Sequence, residues 1–206
     1  MIKTIALDLG GVVVSISFKE AVRRFEELGV KDVGSLLNPF HQGGFFGDLE
    51  GGRISAAQFQ EEMSRSCGRP VSSEECRYAC MGFIESVPTH NLDAVLRLRQ
   101  EGYRVVLLSN TNPIVMDWAL SPAFDGRGHA LSEYFDALYL SYQHKMMKPD
   151  PAFFHAVLEG QRVRPEELLF VDDGPANIAA ADRLGIRTML VENNADWTKD
   201  IYEYLR

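Results

Sequence analysis

Ile2-Lys3-Thr4-Ile5-Ala6-Leu7-Asp8-Leu9-Gly10-Gly11-Val12 opens the chain with an apolar run that ends on a carboxylate and enters a glycine turn. The run is near-continuous rather than alternating, the pattern of a strand covered on both faces. Asp8 is therefore expected at the carboxyl end of a buried strand, placed to act as a nucleophile or to hold a metal ion. Two residues on, Gly10 offers no side chain to help it.

Four later runs read as strands of the same kind: Tyr103–Ser109, Ala137–Ser141, Leu168–Asp172 and Arg187–Val191. Helical patterns of about ten to fifteen residues lie between them, which predicts parallel βαβ units. Asn112-Pro113, Asp150-Pro151 and Gly174-Pro175 each place Pro at a first helical position. Gly102 and Gly185 follow helical patterns where a left-handed residue ends a helix.

The stretch from 17 to 87 interrupts this alternation and contains no convincing strand. One helix is expected through Phe18, Val22 and Phe25 to Gly29, and two more start at the capping boxes Ser55–Gln58 and Ser72–Glu75. A glycine-rich loop, Gln42–Arg53, is expected between the first helix and the second. The fold expected is α/β, a doubly wound Rossmann-like parallel sheet with a small all-α subdomain inserted. Residues 1–16 and 88–206 form the core, and 17–87 form the helical cap.

Open parallel sheets bind ligands beyond the carboxyl ends of their strands. There the sequence places Asp8, Ser109-Asn110-Thr111-Asn112, Lys148-Pro149 and Asp172-Asp173. A nucleophilic carboxylate, a hydroxyl, an ammonium group and an acidic pair together suit a phosphoryl group. The acids would hold Mg²⁺, while Lys148 and Ser109 bind phosphoryl oxygens.

Leu7–Val12, Leu108–Thr111, Lys148–Pro151 and Phe170–Ile178, in this order and spacing, resemble the motifs of the haloacid dehalogenase superfamily. Each motif alone is weak; the four together cover nearly the whole chain. The Asp8–Val12 and Leu108–Asn112 wording looks most like bacterial sugar-phosphate phosphatases of the glucose-1-phosphatase type. The resemblance implies that Asp8 forms an aspartyl-phosphate, that Ser109 and Asn110 bind the phosphoryl group, and that Lys148 pairs with its charge. It also implies Mg²⁺ on Asp8, the Gly10 carbonyl and Asp173, with Asp172 acting through water and Asn177 supporting the acidic loop.

The chain departs from that pattern at Gly10, where most phosphatases of the superfamily carry a second Asp as general acid and base. Three readings follow. The first is a phosphatase of a small phosphorylated metabolite. Its substrate would be a sugar phosphate, such as a hexose 1-phosphate, that needs less proton assistance, or the proton carrier would come from the cap. Asp48, Glu50, Arg53 and His41 are the cap candidates, with Arg53 also expected to bind substrate. The second is a haloacid dehalogenase, disfavoured by the intact Asp172-Asp173 pair. The third is a pseudo-enzyme that binds a phosphorylated ligand or partner protein.

Bulk composition narrows the partners. The 206 residues carry a formal net charge of −8, which argues against nucleic acid, whose phosphates require clustered Lys and Arg. No apolar run approaches the roughly 20 residues that span a bilayer. No signal peptide is expected, so the cytoplasm is the expected compartment. Cys67, Cys76 and Cys80 form no CxxC pair and read as reduced helix cysteines. The histidines lack ligand spacing, and Trp118 and Trp197 read as packing residues. The Leu120–Tyr134 segment reads as a long loop near the active face, and the chain is expected to be a monomer or weak homodimer.

Overall fold

In the computed structural model, described for residues 1–37 and 43–205, the opening run forms a strand, β1 (Thr4–Leu7), buried at all four residues. A two-residue strand, β2 (Ser15–Ile16), leads into the helices α1 (Phe18–Glu27), α2 (Val33–Leu36), α3 (Gly44–Glu50), α4 (Ala56–Cys67) and α5 (Ser73–Cys80). Then come β3 (Ile84–Ser86), α6 (Thr89–Gln100), β4 (Arg104–Ser109), α7 (Pro113–Ala119), β5 (Ala137–Leu140) and α8 (Ser141–His144). The chain finishes through α9 (Pro151–Gln161), β6 (Leu168–Asp172), α10 (Pro175–Arg183), β7 (Arg187–Leu190) and α11 (Ile201–Tyr204).

The main sheet runs in the order β5-β4-β1-β6-β7 with every pairing parallel. The winding reverses at β1, and a crevice opens at such a reversal. Alternate residues of the strands feed two cores. Ile5, Leu7, Val105, Leu107, Leu169 and Val171 pack with Leu92, Val95 and Leu98 of α6. Ala6, Val106, Leu108 and Phe170 pack on the other face with Phe153, Phe154 and Val157 of α9. Burial on both faces explains why these strands read as unbroken apolar runs.

Helix boundaries follow the expected chemistry. Ser55 and Ser72 both close capping boxes, and Pro113, Pro151 and Pro175 each open a helix. Gly102 and Gly185 both adopt positive φ.

The segment between β2 and β3 buries its own apolar cluster, centred on Phe25, Phe46, Phe59, Met63 and Cys76. Phe46 stacks edge-on with Phe25 at 5.6 Å and with Phe59 at 5.9 Å between ring centroids. Truncating such a buried ring costs about 3–5 kcal/mol, so Phe46→Ala is the single change that would most disturb this cluster.

Two sequence expectations need correction. The glycine-rich stretch from Gly44 to Glu50 is helix rather than loop. Burial of Phe46 and Leu49 on one face outweighs the weak helix preference of glycine. The region read as strandless contains β3, which pairs antiparallel with β2 through Ser15↔Ser86 and Ile16↔Ile84. A ribbon this short carries no readable periodicity, and its partner is about 70 residues away.

Among the described residues, no helix is long and apolar enough to cross a membrane. Trp197 is buried and donates its indole N–H to the Val12 carbonyl at 2.8 Å. The three cysteines are free; Cys76 and Cys80 are buried, while Cys67 is half-buried. Burial pushes the Cys76 thiol up to about 11.

Candidate active site

Each strand of the central trio delivers one reactive group to the same crevice. Asp8 follows β1, Ser109 ends β4, and Asp172 ends β6 with Asp173 next to it. Lys148 arrives from the loop before α9. All of them except Asp172 line one pocket, together with Asn110, Gly10, Asn177, Asn193 and Glu50.

Lys148 ties the acids together. Its buried ammonium lies 2.9 Å from Asp8 Oδ1 and 2.6 Å from Asp172 Oδ2. Asn110 fixes the lysine's backbone reciprocally, donating to the Lys148 carbonyl at 2.9 Å and accepting the Lys148 N–H at 2.8 Å. The Asn110 amide, expected from sequence beside the phosphoryl group, is thus engaged in holding Lys148. The second Asp172 oxygen accepts from Gly174 N–H at 2.7 Å and from Asn177 Nδ2 at 2.9 Å. Asp172 therefore accepts from three donors, and Asn177 braces the acidic loop from the first turn of α10.

The turn after β1 depends on glycine at Gly11. Its φ is +77°, and a Cβ there would stand 2.3 Å from Asp173 Oδ2. Gly11 thereby allows the Asp173 carboxylate to approach the β1 turn. The carbonyl of Gly11 accepts from Asn194 N–H at 2.9 Å, and the Asn194 side chain pairs with both backbone groups of Ile16. The loop after β7 thus clamps the Asp8 turn and β2. Nothing local in the sequence marks Asn193 or Asn194, because their partners lie almost the whole chain away.

Gly10 differs from Gly11. A Cβ at Gly10 would meet Ile16 Cγ2 at 3.3 Å and Cδ1 at 3.6 Å. The space where the superfamily's second carboxylate would start is walled by an apolar side chain.

Among the cap candidates, Glu50 lines the pocket with Asp8, at 9% exposure. Arg53 does not; its side chain is 59% exposed, and its guanidinium donates to Asp48 Oδ1 at 2.6 Å and to the Gly47 carbonyl at 3.0 Å. His41 lies outside the described residues. Of the other histidines, His129 pairs with Asp125 and His144 stacks on Tyr139. Neither lines the pocket. The Leu120–Tyr134 segment likewise stays outside it, anchored by Trp118–Phe124 and Phe124–Tyr134 packing.

Electrostatically the site is short of positive charge. Burial, together with the neighbouring Asp172 and Asp173, holds the Asp8 carboxyl well above its ordinary range, although Lys148 opposes the shift. Burial and then Asp172 push Asp173 up to about 6. Burial and then Asp8 push Glu50 up to about 8. Oxygens of Asp8, Asp172 and Asp173 lie within 4.8 Å of one another. Among the described residues, no hydrogen bond from another side chain reaches the Asp173 carboxylate. Hard oxygen donors this close, with surplus negative charge, fit a small divalent cation such as Mg²⁺.

Comparison with known proteins gives the same family. The model described as haloacid dehalogenase-like hydrolase matches residues 2–185. The D-ribitol-5-phosphate phosphatase of Bacteroides thetaiotaomicron is 45% identical over 201 residues, covering 98% of this chain and 97% of that protein. Among solved structures, a predicted HAD-like family hydrolase from Porphyromonas gingivalis superposes with a TM-score of 0.94 at 41% identity, covering 100% of this chain and 98% of that one. A HAD family enzyme from Bacteroides thetaiotaomicron, solved as the wild-type protein in complex with magnesium and inorganic phosphate, gives a TM-score of 0.87 at 34% identity. That match covers 98% of this chain and 100% of the other.

Proposed function

The chain belongs to the haloacid dehalogenase-like hydrolase family, and from that premise we propose that it is a magnesium-dependent phosphatase acting on a small sugar or sugar-alcohol phosphate. The observation that carries this reading is Lys148 bridging Asp8 and Asp172 within a cluster of three carboxylates. The 45% identical ribitol-5-phosphate phosphatase supports a polyol phosphate, with its ester on a primary hydroxyl. A hexose 1-phosphate is the comparison substrate.

Asp8 attacks phosphorus in line and forms an aspartyl-phosphate, which water then hydrolyses. The Lys148 ammonium orients the attacking carboxylate and balances charge that gathers on the phosphoryl oxygens. Ser109, buried at the end of β4, offers its hydroxyl to one of those oxygens. A bound Mg²⁺ would supply further neutralisation of phosphoryl charge. Asp8 and Asp173, with the Gly10 carbonyl, would hold the ion, while Asp172 holds Lys148. The helical segment over the crevice acts as the cap, and its Glu50 faces the substrate.

The test is phosphate release from a panel containing ribitol 5-phosphate and hexose 1-phosphates, with Mg²⁺ and with EDTA. The expected result is Mg²⁺-dependent release, fastest on the polyol phosphate. Metal-independent halide release from 2-haloacids, with no phosphate release, would overturn it.

A further inference from the structure

A primary alkoxide is a poor leaving group and needs a proton as the ester bond breaks. Gly10 cannot supply one, and Ile16 closes the space beside it with methyl groups. The proton must come from another wall of the pocket, and the structure offers one carboxyl group there that nothing else uses.

Glu50 is the last residue of α3, one turn after Phe46. Residues four apart share a helix face, so the face that carries Phe46 into the apolar cluster carries Glu50 into the crevice. Among the described residues, its carboxyl has no hydrogen-bond or ion-pair partner, although the residue is 9% exposed. The carboxyl oxygens are not among the buried unpartnered atoms; they open into the pocket that Asp8, Ser109 and Lys148 also line.

Its backbone is pinned to the core. The Ser141 hydroxyl donates to the Glu50 carbonyl at 2.6 Å and accepts the Thr111 N–H at 2.9 Å. Thr111 follows Ser109 and Asn110 at the end of β4, so one serine couples the end of α3 to the loop after β4. Two residues beyond Glu50, Gly52 has φ +64°, and a Cβ there would stand 2.1 Å from the Tyr142 carbonyl. The helical segment therefore touches the core backbone right behind Glu50, which holds this carboxyl over the site.

We propose that Glu50 is the proton carrier of the reaction, taking from the helical segment the role that Gly10 leaves vacant; this rests on the phosphatase reading above. In the first step the Asp8 oxygen bonds to phosphorus, the bond from phosphorus to the ester oxygen breaks, and the leaving alkoxide takes the Glu50 proton. In the second, the Glu50 carboxylate takes a proton from water as the water oxygen bonds to phosphorus. The Asp8–phosphorus bond breaks, phosphate leaves, and Asp8 and protonated Glu50 are restored. The net reaction is ester plus water to alcohol plus phosphate.

The experiment compares wild type, Glu50→Gln and Glu50→Asp on ribitol 5-phosphate and p-nitrophenyl phosphate with Mg²⁺, with thermal melts to confirm folding. Glu50→Gln should lose about 100- to 10,000-fold in kcat on the polyol phosphate, the usual scale of general acid–base help, with KM nearly unchanged. On p-nitrophenyl phosphate, whose leaving group needs no proton, it should release one equivalent of p-nitrophenolate in a burst and then stall. Glu50→Asp, which keeps a proton on a shorter arm, should recover part of the rate. Wild-type kcat in Glu50→Gln overturns the assignment, as does a loss expressed only in KM or absence of the burst. If wild type releases phosphate from no ester, both the phosphatase reading and this one fail; if only Glu50→Gln is indifferent, the phosphatase reading stands alone.

Discussion

Two half-buried aspartates on this molecule face opposite electrostatic fates. The Asp125 side chain has no exposed surface. It accepts from the backbone N–H groups of Arg127 and His129 at 2.7 and 3.0 Å, from the His129 ring at 2.8 Å and from the Tyr134 hydroxyl at 2.7 Å. Burial alone would raise its carboxyl, yet these donors hold it well below the ordinary range. Asp8 has the Leu9 N–H and Lys148 as donors, but two further aspartates crowd it, and its carboxyl is raised. One loop spends its donors on a carboxylate until it is inert, and the other leaves carboxylates short of positive charge. That shortage is what a cation and a transferring phosphoryl group can answer.

The largest way to break the contrast is Asp8→Asn. Removing the proposed nucleophile should lower kcat by about 10⁶-fold, the scale seen when a covalent catalyst loses its attacking group. The same change should leave the metal-free melting temperature unchanged or higher, because it relieves repulsion among the acids. A melt that collapses together with activity would mean that Asp8 is a structural residue.

Lys148→Met attacks the same site from its cationic side. It strands Asp8 and Asp172 without a counter-charge and should cost about 3–5 kcal/mol, read from urea unfolding without metal. Unchanged stability would show that the ammonium is not what offsets the acids.

Asp125→Asn is the converse control. It should lower the melting temperature by about 2–4 °C or more while kcat/KM stays at the wild-type value. A selective loss of activity would instead join the 120–134 segment to the site.

The smallest effect is the opposite pH sign of the two acids. Asp173 is raised from 3.8 to about 6, so its folded form holds a proton that the unfolded form has released. Its contribution is present at low pH and is lost as pH rises from about 4 to about 6. Asp125, with a depressed carboxyl, contributes above the ordinary aspartate range and loses that contribution as pH falls through 3.8 and below. Metal-free melts across this window should lose the first slope in Asp173→Asn and the second in Asp125→Asn. Identical pH profiles for both variants and wild type would refute the electrostatic account.

How much of this was legible in the sequence depended on distance along the chain. The β1 turn, the strand ends, the proline-opened helices and both serine capping boxes are set by neighbours within a few residues, and each was readable. The helix at Gly44–Glu50 was not, because its stability comes from Phe46 packing against Phe25 and Phe59. The clamp of Asn194 on Ile16 joins residues 178 apart, and no local pattern announces it. Direction was equally hidden: within six residues, Asp48 and Arg53 pair on the surface while Glu50 faces the pocket. Only the packing of α3 decides which carboxylate faces Asp8.

The most direct test of the central claim is to trap the covalent state. Wild-type protein is mixed with Mg²⁺ and ribitol 5-phosphate, quenched in acid within the turnover time, and digested for mass spectrometry. A phosphoryl group should appear on the peptide containing Asp8, acid-stable and alkali-labile, and the Asp8→Asn protein should show neither the adduct nor turnover. Mg²⁺-dependent turnover at the wild-type rate in Asp8→Asn, or a phosphoryl group on another residue, would contradict the account.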